Sequence, residues 1–116
     1  MKKVVFLFIA ILLSACNSAQ SIISKEIILK HDLVNIQELD PTLLVDLKYS
    51  TTDNFMETDV YGELEICYMR KIPGKMLVKA HDLLKKNHPD LRLLIYDGLR
   101  PRSIQWILWN TLIDVP

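Results

Sequence analysis

The chain has 116 residues, enough for one small domain and not two. Its 14 basic residues balance 14 acidic ones, so it carries no basic footprint for nucleic acid, and that class of partner is excluded.

The first residues are a leader. Met1-Lys2-Lys3 is a basic start, Val4 to Leu13 is an unbroken apolar run of 10 residues, and Leu13-Ser14-Ala15-Cys16 closes it with small residues. A run this short cannot span a bilayer, which needs roughly 20 residues, but it suits the core of a secretory signal. The pattern resembles a bacterial lipoprotein signal, in which Cys16 would become the lipidated first residue of the mature chain. An ordinary signal peptide that happens to contain a cysteine is the alternative. Cleavage before Cys16 removes Lys2 and Lys3 and leaves 12 basic against 14 acidic residues, a net charge of −2. The expected product is an exported lipoprotein, periplasmic or at the cell surface, held to a membrane through Cys16. Cys67 is then the one remaining thiol, which excludes an internal disulfide and a Cys-x-x-Cys metal knuckle. It reads as a small buried apolar residue.

Asn17 to about Lys30 has no clean period and reads as a tether, which puts the leader at 1–15, the tether at 16–32 and a domain at 33–116. Leu43, Val45, Leu47 and Tyr49 alternate with Leu44, Asp46 and Lys48, the period of a half-buried strand. Ser50 to Asn54 ends it in a loop. Phe55 to Gly62 is an irregular loop with one apolar anchor, Phe55, and a turn at Tyr61-Gly62, and Glu65 to Met69 is a short strand. Pro73-Gly74 punctuates the chain. A helix follows, with Met76, Leu77, Ala80, Leu83 and Leu84 as its core stripe and Lys75, Lys79, Asp82, Lys85 and Lys86 opposite.

His88-Pro89-Asp90 stops that helix, and Leu91 to Tyr96 reads as a strand buried in a sheet. After the turn at Asp97 to Arg100, Pro101 suits the first position of a second helix. There Ile104, Ile107, Leu108 and Leu112 form one apolar face, yet Trp106, Trp109 and Ile113 cover much of the rest. A helix apolar nearly all round needs partners on several sides. The expected fold class is α+β, a small mixed or antiparallel sheet with two or more packing helices, incomplete at its C-terminus.

The stretch Tyr96-Asp97-Gly98-Leu99-Arg100-Pro101 stands where a strand hands over to a helix, a place where such domains often put ligands. A guanidinium there is always charged and offers a planar fork of donors suited to a carboxylate or an oxyanion. Gly98 permits a tight bend and Pro101 restrains Arg100 to extended backbone. The competing reading is a local Asp97–Arg100 ion pair across an exposed turn, worth about 0–1 kcal/mol.

Four stretches carry a resemblance. They are Val45-Asp46-Leu47-Lys48-Tyr49-Ser50-Thr51-Thr52-Asp53-Asn54-Phe55, Val60-Tyr61-Gly62, Cys67-Tyr68-Met69-Arg70, and the stretch ending at Arg100-Pro101. In this order they resemble the D-alanyl-D-alanine dipeptidases of the vancomycin-resistance type, a family of zinc metallopeptidases, over about residues 34–112. The resemblance implies D-alanyl-D-alanine or peptidoglycan-precursor termini as ligand, Arg100 as the group that stabilises the transition state, and Asp97 as its orienting partner. Asn54 and Phe55 would edge the pocket or serve structure alone.

Three departures accompany it. Leu99 stands where the family usually has tyrosine, and Met56-Glu57 stands where it often has Thr-Gly. The family's zinc-ligand motifs, Ser-x-His-x-x-Gly-x-Ala-x-Asp and a later Glu-x-x-His with the general base, do not occur in this sequence. The expectation is therefore a chain cut short before those motifs, with no zinc ligands of its own and no catalysis. The alternative is a membrane-tethered protein that binds D-alanyl-D-alanine carboxylate termini without cleaving them. His31, with Asp32 beside it, lies near the tether, His81 on the lysine-rich helix face and His88 before Pro89, which gives no converging metal set.

Overall fold

A computed structural model describes residues 23–113. The leader, Cys16 and the first part of the tether lie outside the described residues, as do positions 114–116. The described part is an α+β arrangement of four helices and two ladders of two strands each.

Ile23 is buried against Leu33, Tyr61, Leu64 and Tyr68. Helix α1 (Lys25–Lys30) follows, with the Ser24 hydroxyl accepting from the Ile27 N–H at 3.3 Å as its N-cap. From Ile23 onward, then, the segment read as tether is docked on the domain. The reason is Ile23 and Ile28, which pack into the core and offset the entropy of ordering this stretch.

Strand β1 (Leu33–Asn35) pairs antiparallel with β3 (Tyr68–Arg70), Val34 facing Met69. Between them come the one-turn helix α2 (Ile36–Leu39), capped by Asn35, and strand β2 (Leu44–Val45). Strand β2 runs parallel to β4 (Leu94–Ile95). Bonds from Asp46 N to Ile95 O at 2.9 Å and from Lys48 N to Tyr96 O at 3.1 Å carry this contact past the strand proper. The expected alternation over 43–49 survives in part, since Leu43 and Leu47 are buried and Leu44 is exposed while Val45, Asp46, Lys48 and Tyr49 are all half-buried. Regular pairing is shorter, because Lys48–Ser50 closes into a 3-10 turn.

The strand expected to be buried over 91–96 is half-buried instead. Leu93 and Ile95 turn into the core while Leu94 and Tyr96 are exposed, because this two-stranded ladder is covered on one face alone.

Helix α3 (Lys71–Asn87) begins before Pro73-Gly74 and absorbs that pair into its first turn, where a backbone N–H has no intrahelical partner and proline's lack of one costs nothing. Its inward face is also rotated from the expected stripe. Gly74, Leu77, Val78 and His81 turn inward, whereas Met76 and Leu83 are exposed. Gly74 sets this orientation: a Cβ there would lie 3.0 Å from Leu39 Cδ1 and 3.3 Å from Val34 Cγ2, so the backbone of α3 approaches α2 and β1 closely.

His81, read from the sequence as part of the lysine-rich face, is fully buried. Its Nδ1 lies 3.0 Å from Asp40 Oδ2. The same carboxylate accepts from the Thr42 N–H at 2.9 Å, the Thr42 hydroxyl at 2.6 Å and Lys85 Nζ at 3.2 Å. The bonds from Thr42, with those from Lys85 and His81, outweigh burial and hold Asp40 well below the usual carboxylate range. An ionised carboxylate accepts only, so His81 Nδ1 donates.

Helix α4 (Arg102–Ile113) starts one residue after Pro101, whose carbonyl accepts from the Gln105 N–H at 3.1 Å. Leu108 is buried and Ile104 packs on the core. Ile107 and Leu112, expected on that face, are exposed with Trp106, Trp109 and Ile113, since α4 meets the rest of the described chain along one narrow line.

Candidate functional site

The stretch from Asp97 to Pro101 is held by the backbone before any side chain is considered. Leu99 N–H donates to Tyr68 O at 2.7 Å, which ties the stretch to β3. Gly98 passes so close that a Cβ on it would lie 2.7 Å from both Cys67 Sγ and Tyr68 O. Glycine is required here by proximity, whatever its conformational freedom. Cys67 is buried, as expected, and burial, with the Asp97 charge nearby, pushes its thiol up to about 11. It is therefore an un-ionised packing group and not a nucleophile.

On this frame Arg100 is held from four directions. Its Nη2 donates to Asp97 Oδ2 at 2.6 Å, its Nε to the Tyr61 hydroxyl at 3.4 Å, and its Nη1 to Gln105 Oε1 at 3.0 Å. The guanidinium carbon sits 4.8 Å from the centre of the Tyr49 ring, a cation–π contact. Asp97 Oδ1 in turn accepts from Tyr61 at 2.8 Å and from Gly98 N–H at 2.9 Å. Burial works against the Arg100 charge, but Asp97 and Tyr61 more than offset it and hold the guanidinium above its ordinary range. Burial and the Asp97 carboxylate push the Tyr61 phenol up to about 12, so it stays protonated and can donate.

Asp97 and Arg100 thus come together as expected, but the exposed two-residue ion pair is the wrong picture. Each side chain is about 30% exposed, and the pair sits in a network with two tyrosines. Nothing in the local sequence marks Tyr49 and Tyr61 as parts of the site. They reach it because the loop after the 3-10 turn folds back, with Val60 N–H and Tyr61 N–H both donating to Tyr49 O at 2.9 Å. Gly62, at φ +57, makes the expected turn possible. Gln105 gave no signal at all in the sequence.

Asn54 and Phe55 are placed differently. The Asn54 amide nitrogen donates to Lys48 O, Thr51 O and Thr58 O, and its oxygen accepts from Met56 N–H. That side chain is occupied in shaping its own loop. Phe55 is exposed and meets Tyr49 edge-on at 6.1 Å, so it touches Arg100 only through the tyrosine.

Residues Asp97 to Arg102 line an open groove of about 740 Å³ together with apolar Leu33, Tyr68 and Met69 and with Arg70 and His31. Apolar walls with cationic groups suit a small ligand that carries an anionic end.

A catalytic zinc needs about three converging protein ligands. Among the described residues no three His, Cys, Asp or Glu side chains converge. His31 and His88 end two different helices, α1 and α3, and the His81 imidazole is enclosed beside Asp40. The residues described do not fit the zinc implied by the resemblance, and no step through a metal is derived for them.

Against known proteins, the chain is 30% identical over 83 residues to a D-alanyl-D-alanine dipeptidase of Escherichia coli (strain K12). The match covers 72% of this chain and 42% of the relative, so the chain spans less than half of the length of the protein it matches. That similarity supports a distant relationship. No family model matches, and no solved structure matches.

Proposed function

From that distant kinship, we propose that the chain recognises D-alanyl-D-alanine ends of cell-wall peptides through Arg100, as part of a dipeptidase of the vancomycin-resistance type. One observation carries the reading. The guanidinium of the Asp-Gly-x-Arg-Pro stretch is pinned by Asp97, Tyr61 and the Tyr49 ring, so its remaining donors have a set direction. Such a fork matches a carboxylate. It also matches the oxygen of a peptide carbonyl under attack, on which negative charge builds and which a pre-aimed cation stabilises. Hydrolysis needs a water-activating group as well. The described residues supply recognition and charge stabilisation, and those are the roles assigned to them.

Calorimetry of the purified chain with D-alanyl-D-alanine tests this. Binding that is lost in Arg100→Ala and weak for L-alanyl-L-alanine is expected. No heat with the D-dipeptide, or equal heat in the variant, overturns the reading. Release of free D-alanine on addition of zinc separates hydrolysis from binding without cleavage. The proposal includes export and anchoring through a lipid on Cys16, which intact mass measurement of the membrane fraction checks; an unlipidated soluble product overturns that part.

A further inference from the structure

We propose that Gln105 is an internal placeholder on Arg100, its amide oxygen occupying the position that a carboxylate oxygen of the ligand takes over on binding. The inference rests on the reading that Arg100 receives the ligand, and it adds where on the guanidinium that happens.

The three hydrogen-bonding partners of Arg100 are not alike. Asp97 and Tyr61 are bonded to each other, Asp97 also accepts from the Gly98 N–H of the turn, and both lie in the part-buried half of the network. Replacing either would break more than one bond. Gln105 is exposed, sits in the first turns of α4, and among the described residues its side chain has no hydrogen bond other than the one to Nη1. The Tyr49 ring covers one face of the guanidinium, which directs an incoming oxygen to the in-plane edge. Nη1 is the edge that faces the exposed side chain. Of the three occupied donors it is therefore the one a ligand can claim at least cost.

The chemistry of the exchange favours an anion. The Gln105 side chain ends in a neutral amide, the same group as a peptide carbonyl, so a neutral carbonyl that replaces it gains little. A carboxylate forms a charge-assisted bond, roughly twice as strong as a neutral one. A charged oxygen therefore displaces Gln105 more readily than a neutral one does. As a competitor for one position, Gln105 lowers the affinity of every ligand of that position by the same factor. An exposed hydrogen bond of this kind corresponds to about two- to tenfold.

The test follows the Arg100 side-chain signals by NMR in the full chain while acetate is added, in wild type, Gln105→Leu and Gln105→Glu. Leucine removes the oxygen and keeps the bulk; glutamate supplies a permanent anion. Acetate should bind about two- to tenfold more tightly to Gln105→Leu and at least about tenfold more weakly to Gln105→Glu. A merely structural role would shift both variants in the same direction. Such a common shift, an unchanged affinity in Gln105→Leu, or unmoved Arg100 signals in all three proteins would overturn the proposal. If D-alanyl-D-alanine fails to move signals that acetate moves, the dipeptide reading alone falls and the placeholder stands.

Discussion

Arg100 Nη2 donates to Asp97 Oδ2 at 2.6 Å, while the other oxygen of the same carboxylate accepts from Tyr61, a residue 36 positions earlier in the chain. One aspartate thus joins the turn before α4 to the loop after β2. Asp97→Ala leaves the Tyr61 hydroxyl, the Gly98 N–H and the guanidinium without their acceptor. Hydrogen bonds to charged groups are worth about 1.5–3 kcal/mol each, but the Asp97–Arg100 pair is about 30% exposed and screened and the freed groups reach water, so a net loss of roughly 2–3 kcal/mol is expected. Urea unfolding measures the loss, and a change below about 0.5 kcal/mol would show that the network does not form.

Tyr61 provides a spectroscopic check. The chain has four tyrosines, and burial beside Asp97 pushes Tyr61 up to about 12. A phenol whose folded pKa is raised adds stability that is fully present below the unfolded value of about 10 and is lost as pH rises through the folded one. Near-ultraviolet titration should show one late-ionising tyrosine, absent in Tyr61→Phe, with stability falling between about pH 10 and 12. Indistinguishable titration curves for the two proteins contradict the burial argument.

Gly98→Ala forces a Cβ to within 2.7 Å of Cys67 Sγ and Tyr68 O. Overpacking of this kind costs roughly 1–3 kcal/mol, read from the shift in unfolding midpoint. Adding Cys67→Ala relieves the sulfur contact but not the carbonyl one, so the double variant should not recover the wild-type midpoint. Full recovery would mean that the strand–turn approach is looser than described.

Asp40 links acid stability to the burial of His81. Its folded pKa is depressed, chiefly by the two bonds from Thr42, so its contribution is full above the unfolded value of about 3.9 and drains away as pH falls below it. Asp40→Asn should destabilise the protein at neutral pH and flatten the loss of stability below about pH 4. An acid limb equally steep in the variant would assign it to other carboxylates.

The two faces of α4 separate by mutation. Leu108→Ala empties a buried position and should cost about 2–5 kcal/mol, whereas Ile107→Ala, at an exposed one, should stay within about 0.5 kcal/mol. Equal losses measured by chemical unfolding would mean that Ile107 is covered.

Local patterns were legible wherever they reflect one element and one face. The alternation from Leu43 to Leu47 appears in the burial of Leu43 and Leu47 and the exposure of Leu44, and the amphipathic helix ending at His88 is present. Strand β1 was not readable, because three residues show no period and its partner lies 33 or more positions away. His81 was misplaced because four nearby lysines look like a solvated face, while the aspartate that justifies burying an imidazole sits 41 residues earlier. Likewise Tyr49 reads as the end of a strand and Tyr61 as part of a turn, since nothing local says that the loop folds back over Arg100.

The sequence alone determined the α+β class, the strand-to-helix handover at Asp97–Pro101, and the pairing of Asp97 with Arg100. Each depends on residues within one element or one turn, where spacing dictates geometry. Tertiary structure decided which face of α3 is buried, the close pass of Gly98 beside Cys67, and the ring of Tyr49, Tyr61 and Gln105 around the guanidinium. Those contacts join segments distant in sequence, and packing, which a linear pattern does not encode, is what brings them within hydrogen-bonding reach.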